Sequence, residues 1–319
     1  MEISDILHIG SDKQLICRDG NKDWANSMDL EFMTYDEYKI INNNISIVEL
    51  CPKVLIIDIS VGWTDTKYIN LFEKIINNKD NTKIYFRLVD QFRYQWTSEI
   101  YEWVTKISNT KGIKIIKTYD CDYNGLNSLV TLPYPYLIED EFPILNEGED
   151  KFDRSFDFLL SGADIKDIYP MRCKLYDISD DNIIKTLRHP GYSGSHWDKG
   201  KIGYSYLKEL HEHWFMICTT TYPDRYDLLK YVECAEAGCV CVGEVPRMLE
   251  GTEAEKWIIK IPDWSLKGIG IFYEWFDNTL RNLDVELYAS EYRKCIKELR
   301  GKEKIKRLLL DSINSDNEV

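Results

Sequence analysis

At 319 residues, with 44% hydrophobic and 13% aromatic side chains, the chain has material for two cored domains and is neither a disordered nor a fibrous sequence. Its 40 basic against 54 acidic residues leave a net charge of -14, which removes any global attraction to nucleic acid or to an anionic membrane. No apolar run reaches the length of a membrane-crossing helix, and Met1–Gly10 lacks the basic start and long apolar stretch of a signal peptide, so a cytoplasmic protein without a membrane span is expected.

In chain order, Ile3–Ile9 reads as a first strand ending at Gly10-Ser11-Asp12, and the polar stretch 19–36 yields no assignable element. Lys53–Ile59 is a buried-strand candidate, apolar apart from Lys53 and Asp58, followed by helical spacing over Thr64–Asn77 at Ile69, Phe72, Ile75 and Ile76. Lys83–Val89 is the next strand, Thr97–Ile107 the next helix, Gly112–Thr118 another strand, and Leu129–Tyr136 closes this half. Strands that alternate with helices, each a continuous apolar run, predict a parallel sheet covered on both faces. The first domain is therefore placed at 1–138, and the acidic stretch 139–153, with Pro143 and Gly148, reads as a linker.

The alternation restarts over 154–290. Phe156–Leu160 is a strand, Asp164–Ile178 a helix, Ile183–Leu187 a strand running into Arg188-His189-Pro190-Gly191, and Gly203–His213 a short helix. Trp214–Cys218 is a strand, Thr221 three residues ahead of Asp224 resembles a capping box, and Pro223 suits a first helical turn, so a helix is predicted from Pro223 to Gly238. Cys239–Val242 and Trp257–Ile261 follow as strands, and the chain from Ile271 is helical. The fold class expected is α/β, with two Rossmann-like parallel-sheet domains. Nine cysteines, scattered and without a C-x-x-C, read as reduced, buried small apolar residues, with no metal site assigned. His211-Glu-His213 lacks the i, i+4 spacing of helical zinc pairs, and Asp120-Cys-Asp122 reads as a turn.

A helix that starts just beyond the carboxyl end of a parallel strand offers free N–H groups and the positive end of its dipole to a phosphate. The segment Glu233-Cys-Ala-Glu-Ala-Gly238-Cys-Val-Cys-Val242, a glutamate, small residues, a glycine five positions on and a strand, resembles the donor-site segment of GT-B glycosyltransferases, nearest in tone to exostosin-like and phage or viral members. The resemblance implies two domains facing a cleft, an N-terminal acceptor domain, a C-terminal nucleotide-sugar domain, and C-terminal helices (291–319) packing back toward the first. It implies a UDP- or GDP-linked sugar donor, no cofactor besides it, and no required metal. Glu233 would hold the donor ribose. Many retaining members carry a further glutamate eight residues upstream, where this chain has Arg225.

Transfer of a sugar from such a donor needs a grip on the diphosphate that leaves, a holder for the ribose, and, with inversion, a base for the acceptor hydroxyl. The grip is assigned to Thr220, Thr221 and Tyr222 in the loop and to Arg225 in the first turn, with His189 and Arg172 as further contacts. A solvated arginine, a structural ion pair at Glu233 and a loop-capping histidine are the plain alternatives. For the base, Asp90 after the third strand ranks ahead of His8 and Asp12, and Asp58 is the structural alternative. Trp63, Phe92, Tyr94 and Trp96 follow N-terminal strands and suit sugar stacking. The acceptor is a surface glycan or a hydroxylated base of DNA, the latter needing a basic groove from Arg87, Arg93, Lys111, Lys114 and Lys117. The alternative is a non-catalytic nucleotide- or sugar-binding module of two domains.

Overall fold

The computed structural model describes residues 1–10, 21–44, 52–59, 68–77, 81–88, 98–120, 126–136, 154–180, 182–188 and 204–317. The chain divides into two compact units, Met1–Pro135 with Lys302–Val319, and Tyr136–Gly301.

The N-terminal unit is built on β1 (Ile6–Gly10), α1 (Asn21–Asn26), β2 (Glu31–Thr34), α2 (Tyr35–Asn44), β3 (Val54–Ile59), α3 (Ile69–Asn77), β4 (Lys83–Leu88), α4 (Ser98–Lys111), β5 (Lys114–Lys117) and β6 (Ser128–Thr131). All pairings are parallel, in the order β2-β1-β3-β4-β5-β6. β3 is buried at every position because it lies mid-sheet with both faces covered, which is why its sequence is a continuous apolar run. The last helix of the chain, α10 (Lys302–Asn317), belongs to this unit. Ile305, Leu309 and Ile313 recur every four residues, so one face of α10 enters the core formed by Ile6, Trp24, Val54, Ile56 and Leu132. Tyr85 and Lys83 hold Asp316 at the far end of that helix, at 2.7 and 2.5 Å.

The C-terminal unit comprises β7 (Ser155–Gly162), α5 (Pro170–Ile178), β8 (Ile184–Arg188), α6 (Tyr204–His211), β9 (His213–Cys218), α7 (Leu229–Glu236), β10 (Val240–Gly243), β11 (Ile258–Lys260), α8 (Ile269–Leu280) and α9 (Val285–Arg300). Its five strands are again all parallel, in the order β11-β10-β9-β7-β8. Phe158, Phe215, Phe272 and Phe276 form the aromatic centre of the core on one face of this sheet. Among the described residues no helix is long and apolar enough to cross a membrane.

Two Rossmann-like parallel sheets are thus present, and most elements stand where the apolar runs place them. Three details differ. Residues 21–34, which carry no clear pattern, form α1 and β2, because burial of Trp24 and Ala25 rather than local propensity defines them. The helix after β9 begins at Leu229, not Pro223. Of the C-terminal helices only 302–319 group with the N-terminal unit, whereas α9 stays in the C-terminal one, with Tyr292 buried and its hydroxyl donating to the Tyr231 carbonyl at 3.1 Å. The linker read over 139–153 lies outside the described residues.

Candidate functional site

In the C-terminal sheet the chain passes from β7 to β8 on one side and to β9, β10 and β11 on the other, so the strand order reverses between β7 and β9. Connections leaving on opposite faces open a crevice at the carboxyl ends of those two strands, which is where ligands bind in such sheets. β7 ends there with Ser161-Gly162 and β9 with Cys218, followed by three threonines.

Gly162 has φ +119, and a Cβ at that position would lie 2.6 Å from Arg172 Nη1 and 2.9 Å from Lys230 Cε. The ends of two cationic side chains therefore lie directly over it, and a side chain there would have to push them aside at a backbone angle that favours glycine. Arg172 comes from the first turn of α5, which Pro170 starts in its favoured N-terminal place. It is only 2% exposed. Its Nε donates to Thr219 Oγ1 at 3.0 Å, its Nη1 to the Ala163 carbonyl at 3.1 Å, and its guanidinium lies 3.9 Å from the centre of the Tyr169 ring. Its buried Nη2 has no hydrogen-bond partner among the described residues. A buried guanidinium with an unspent donor beside a sheet's ligand edge is a ready anion contact.

Lys230 extends the site. Its Nζ donates to Ser161 Oγ at 2.6 Å and to the Tyr206 hydroxyl at 3.4 Å, and the two hydroxyls are 2.9 Å apart. The Tyr206 hydroxyl also donates to Glu233 Oε2 at 3.4 Å. Glu233 is 2% exposed, and it shares a face of α7 with Lys230 one turn earlier. Lys230, Ser161, Tyr206 and Glu233 thus form one polar relay in an otherwise apolar layer. Of these only Glu233 stands out in the sequence; the three-residue spacing from Lys230 to Glu233 is the single local signal for another member.

The loop after β9 behaves differently from its sequence reading. The Thr220 N–H and hydroxyl both donate to Glu244 Oε2, at 2.8 and 3.1 Å, so this expected phosphate donor already serves a carboxylate. Burial raises the Glu244 carboxyl above its ordinary value, opposed by the Thr220 bonds and the positive charge of Arg172. Thr221 is buried and its hydroxyl accepts from the Tyr226 N–H at 3.2 Å, while Tyr222 is 66% exposed. Arg225 is not in a helical turn: it sits at φ 51, and its guanidinium pairs with Glu250 at 2.7 Å on the surface. The segment turns over 222–224 and reaches Leu228 without entering the helix because long-range anchors hold it. Arg247 N–H donates to the Arg225 carbonyl at 2.8 Å, and buried Asp227 is paired with Arg300. Free helix N–H groups therefore do not stand at Thr220 and Thr221.

In the N-terminal unit His8 is fully buried within β1. Its Nε2 lies 3.0 Å from Asp58 Oδ2, and Asp58 Oδ1 accepts from Arg87 Nη1 at 2.9 Å. Trp24 packs against both partners of Asp58, 3.9 Å below the Arg87 guanidinium and edge-on to the His8 ring. Burial works against the Asp58 carboxylate, yet Arg87 and then His8 outweigh it and hold its pKa below the ordinary value. The three side chains lie at the β1–β3–β4 seam, inside the sheet's covering layers. Arg87, being buried there, is not part of a surface groove, and Lys114 is engaged by Asp316. Asp90, Asp12, His189, Arg93, Asp122, Trp63, Phe92, Tyr94 and Trp96 lie outside the described residues.

His211 and His213 fall on different elements, the first bonded to the Ala237 carbonyl at 2.9 Å and the second buried in β9. Burial lowers both imidazoles. Comparison of the chain with protein-family models and with curated proteins gives no match.

Proposed function

We propose that this chain is a glycosyltransferase that takes a sugar from a UDP- or GDP-linked donor, with the diphosphate held at the carboxyl ends of β7 and β9. The observation that carries this reading is the convergence of Arg172 and Lys230 over Gly162 at the point of strand reversal. Cleavage of the bond between anomeric carbon and diphosphate leaves its electron pair on a phosphate oxygen. Fixed cations in a site screened from water stabilise that developing charge without having to reorganise. Arg172, anchored through Nε and Nη1, presents Nη2, and Lys230 presents its ammonium from the adjoining face. Glu233, reached from Lys230 through Ser161 and Tyr206, is proposed to take the ribose hydroxyls, for which an ionised carboxylate is a two-point acceptor. Arg172, Lys230 and Glu233 replace the loop N–H groups and Arg225 as the main donor contacts. The acceptor is a hydroxyl of a glycan or of a hydroxylated DNA base.

The test is a panel of nucleotide sugars scored twice, by thermal stabilisation and by release of the nucleoside diphosphate in the presence of candidate acceptors. A donor that binds the folded form raises the melting temperature. Stabilisation that disappears in Arg172→Gln, together with acceptor-dependent turnover, is the expected result. Stabilisation with no turnover on any acceptor leaves a nucleotide-sugar binding module, and no stabilisation by any member sinks the reading.

A further inference from the structure

Behind the end of β9 the C-terminal unit holds three thiols in contact. Cys218 ends β9, Cys234 lies on α7 and Cys241 in β10, all three at 0% exposure. Their sulfur atoms all lie within 4.8 Å of one another. They come from successive elements of one β-α-β unit and meet through the parallel register, in which Cys241 stands beside Met216 and Cys218 beside Gly243, with α7 packed over both strands.

Their chemistry differs from that of isolated buried cysteines. Burial resists ionisation of all three. At Cys241 the neighbouring Cys218, Cys234 and Tyr292 groups outweigh that resistance and lower the thiol below its ordinary value. Cys218 and Cys234 are raised, burial being the main cause. Cys239 is equally buried but stands apart, with its sulfur turned to the Leu210 and His213 carbonyls at 3.2 and 3.3 Å and to Arg154.

We propose that Cys218, Cys234 and Cys241 form a three-sulfur site for a soft d10 metal ion. The donor set decides the class. Three sulfurs without a carboxylate or imidazole in the group disfavour magnesium and calcium, which need oxygen. A structural zinc site takes four protein ligands, whereas three sulfurs around one centre suit a thiophilic ion content with trigonal coordination, such as monovalent copper or cadmium. With metal–sulfur bonds of about 2.3 Å a trigonal centre spaces its sulfurs by about 4 Å, within the 4.8 Å limit inside which the present sulfurs lie. Binding takes up the cysteines as thiolates and releases their thiol protons, so affinity rises with pH. The site is independent of the sugar-transfer reading.

Because the cluster is closed to solvent, the reduced full chain is refolded anaerobically with cadmium or with monovalent copper, then passed through a desalting column. One equivalent per chain is expected, with a thiolate-to-metal charge-transfer band and a first shell of three sulfurs by X-ray absorption. Cys241→Ala should weaken binding by about 100-fold or more, and Cys239→Ala, as deeply buried, should leave it unchanged. No retained metal, a first shell of nitrogen and oxygen, or equal binding by Cys241→Ala and wild type would overturn the proposal. The absorption measurement on the wild-type chain decides even where a cysteine variant does not fold.

Discussion

Gly162 and Arg172 compete for one volume: a Cβ on the glycine would stand 2.6 Å from the arginine Nη1. Gly162→Ala must therefore displace the guanidinium or bend β7, and it must also place a side chain at φ +119. We expect a loss of roughly 1–3 kcal/mol in urea unfolding together with weakened nucleotide-sugar stabilisation. A variant that keeps the full ligand-induced shift in melting temperature would show that Arg172 does not need its present position.

At Arg172 itself the two substitutions separate charge from geometry. Arg172→Gln removes the cation and should weaken nucleoside diphosphate binding by roughly 10- to 100-fold, the worth of one hydrogen bond to a charged group. Arg172→Lys keeps the charge but loses the planar fork that reaches Thr219 and Ala163 at once, so it should recover little. Isothermal titration with UDP and GDP reads both, and full recovery by lysine would contradict the fork.

In the N-terminal unit, the depressed Asp58 carboxyl couples stability to pH. A carboxylate whose folded-state pKa lies below its unfolded value of 3.8 stabilises fully above that value, and the contribution is lost as pH falls through the folded-state value. Asp58→Asn leaves Arg87 and His8 buried without their shared anion, and should cost about 3–5 kcal/mol near neutral pH. It should also flatten the acid limb of the stability curve. Urea unfolding at a series of pH values checks both, and an unchanged acid slope in the variant would assign that limb to other carboxylates.

The readable parts of this chain and the unreadable ones differ in what determines them. β3, β4, β9 and β10 are apolar runs because a central parallel strand is covered on both faces, so their burial is written locally. The start of α7 is not: Thr221, Pro223 and Asp224 have the composition of a helix start, but Arg247 and Arg300, distant in sequence, hold residues 225–227 out of the helix. The same split runs through the site. Glu233 and Arg172 are charged residues among apolar neighbours, a pattern visible in one dimension. Ser161, Tyr206 and Lys230 join them only because strand order brings β7, α6 and α7 to one edge. The three clustered thiols depend wholly on register, which no spacing of cysteines announces.

The last helix carries a prediction of its own. Ile305, Leu309 and Ile313 are each fully buried in the N-terminal unit, although more than 160 residues of the other unit intervene between them and the rest of its core. A buried aliphatic side chain of this size contributes about 1.5–3 kcal/mol by transfer alone, so three of them rival the whole stability of a domain. Leu309→Ala should cost about 2–5 kcal/mol. Truncation after Gly301 should leave the first sheet unable to fold, exposing its amides to rapid hydrogen exchange while β9 and β10 remain protected. Since α10 touches β6 and clamps Asp316 to Lys83 and Tyr85, adding the helix back as a peptide should restore protection in β4 and β6. Protection of those strands in the truncated chain, without the peptide, would mean that the sheet and its other helices suffice.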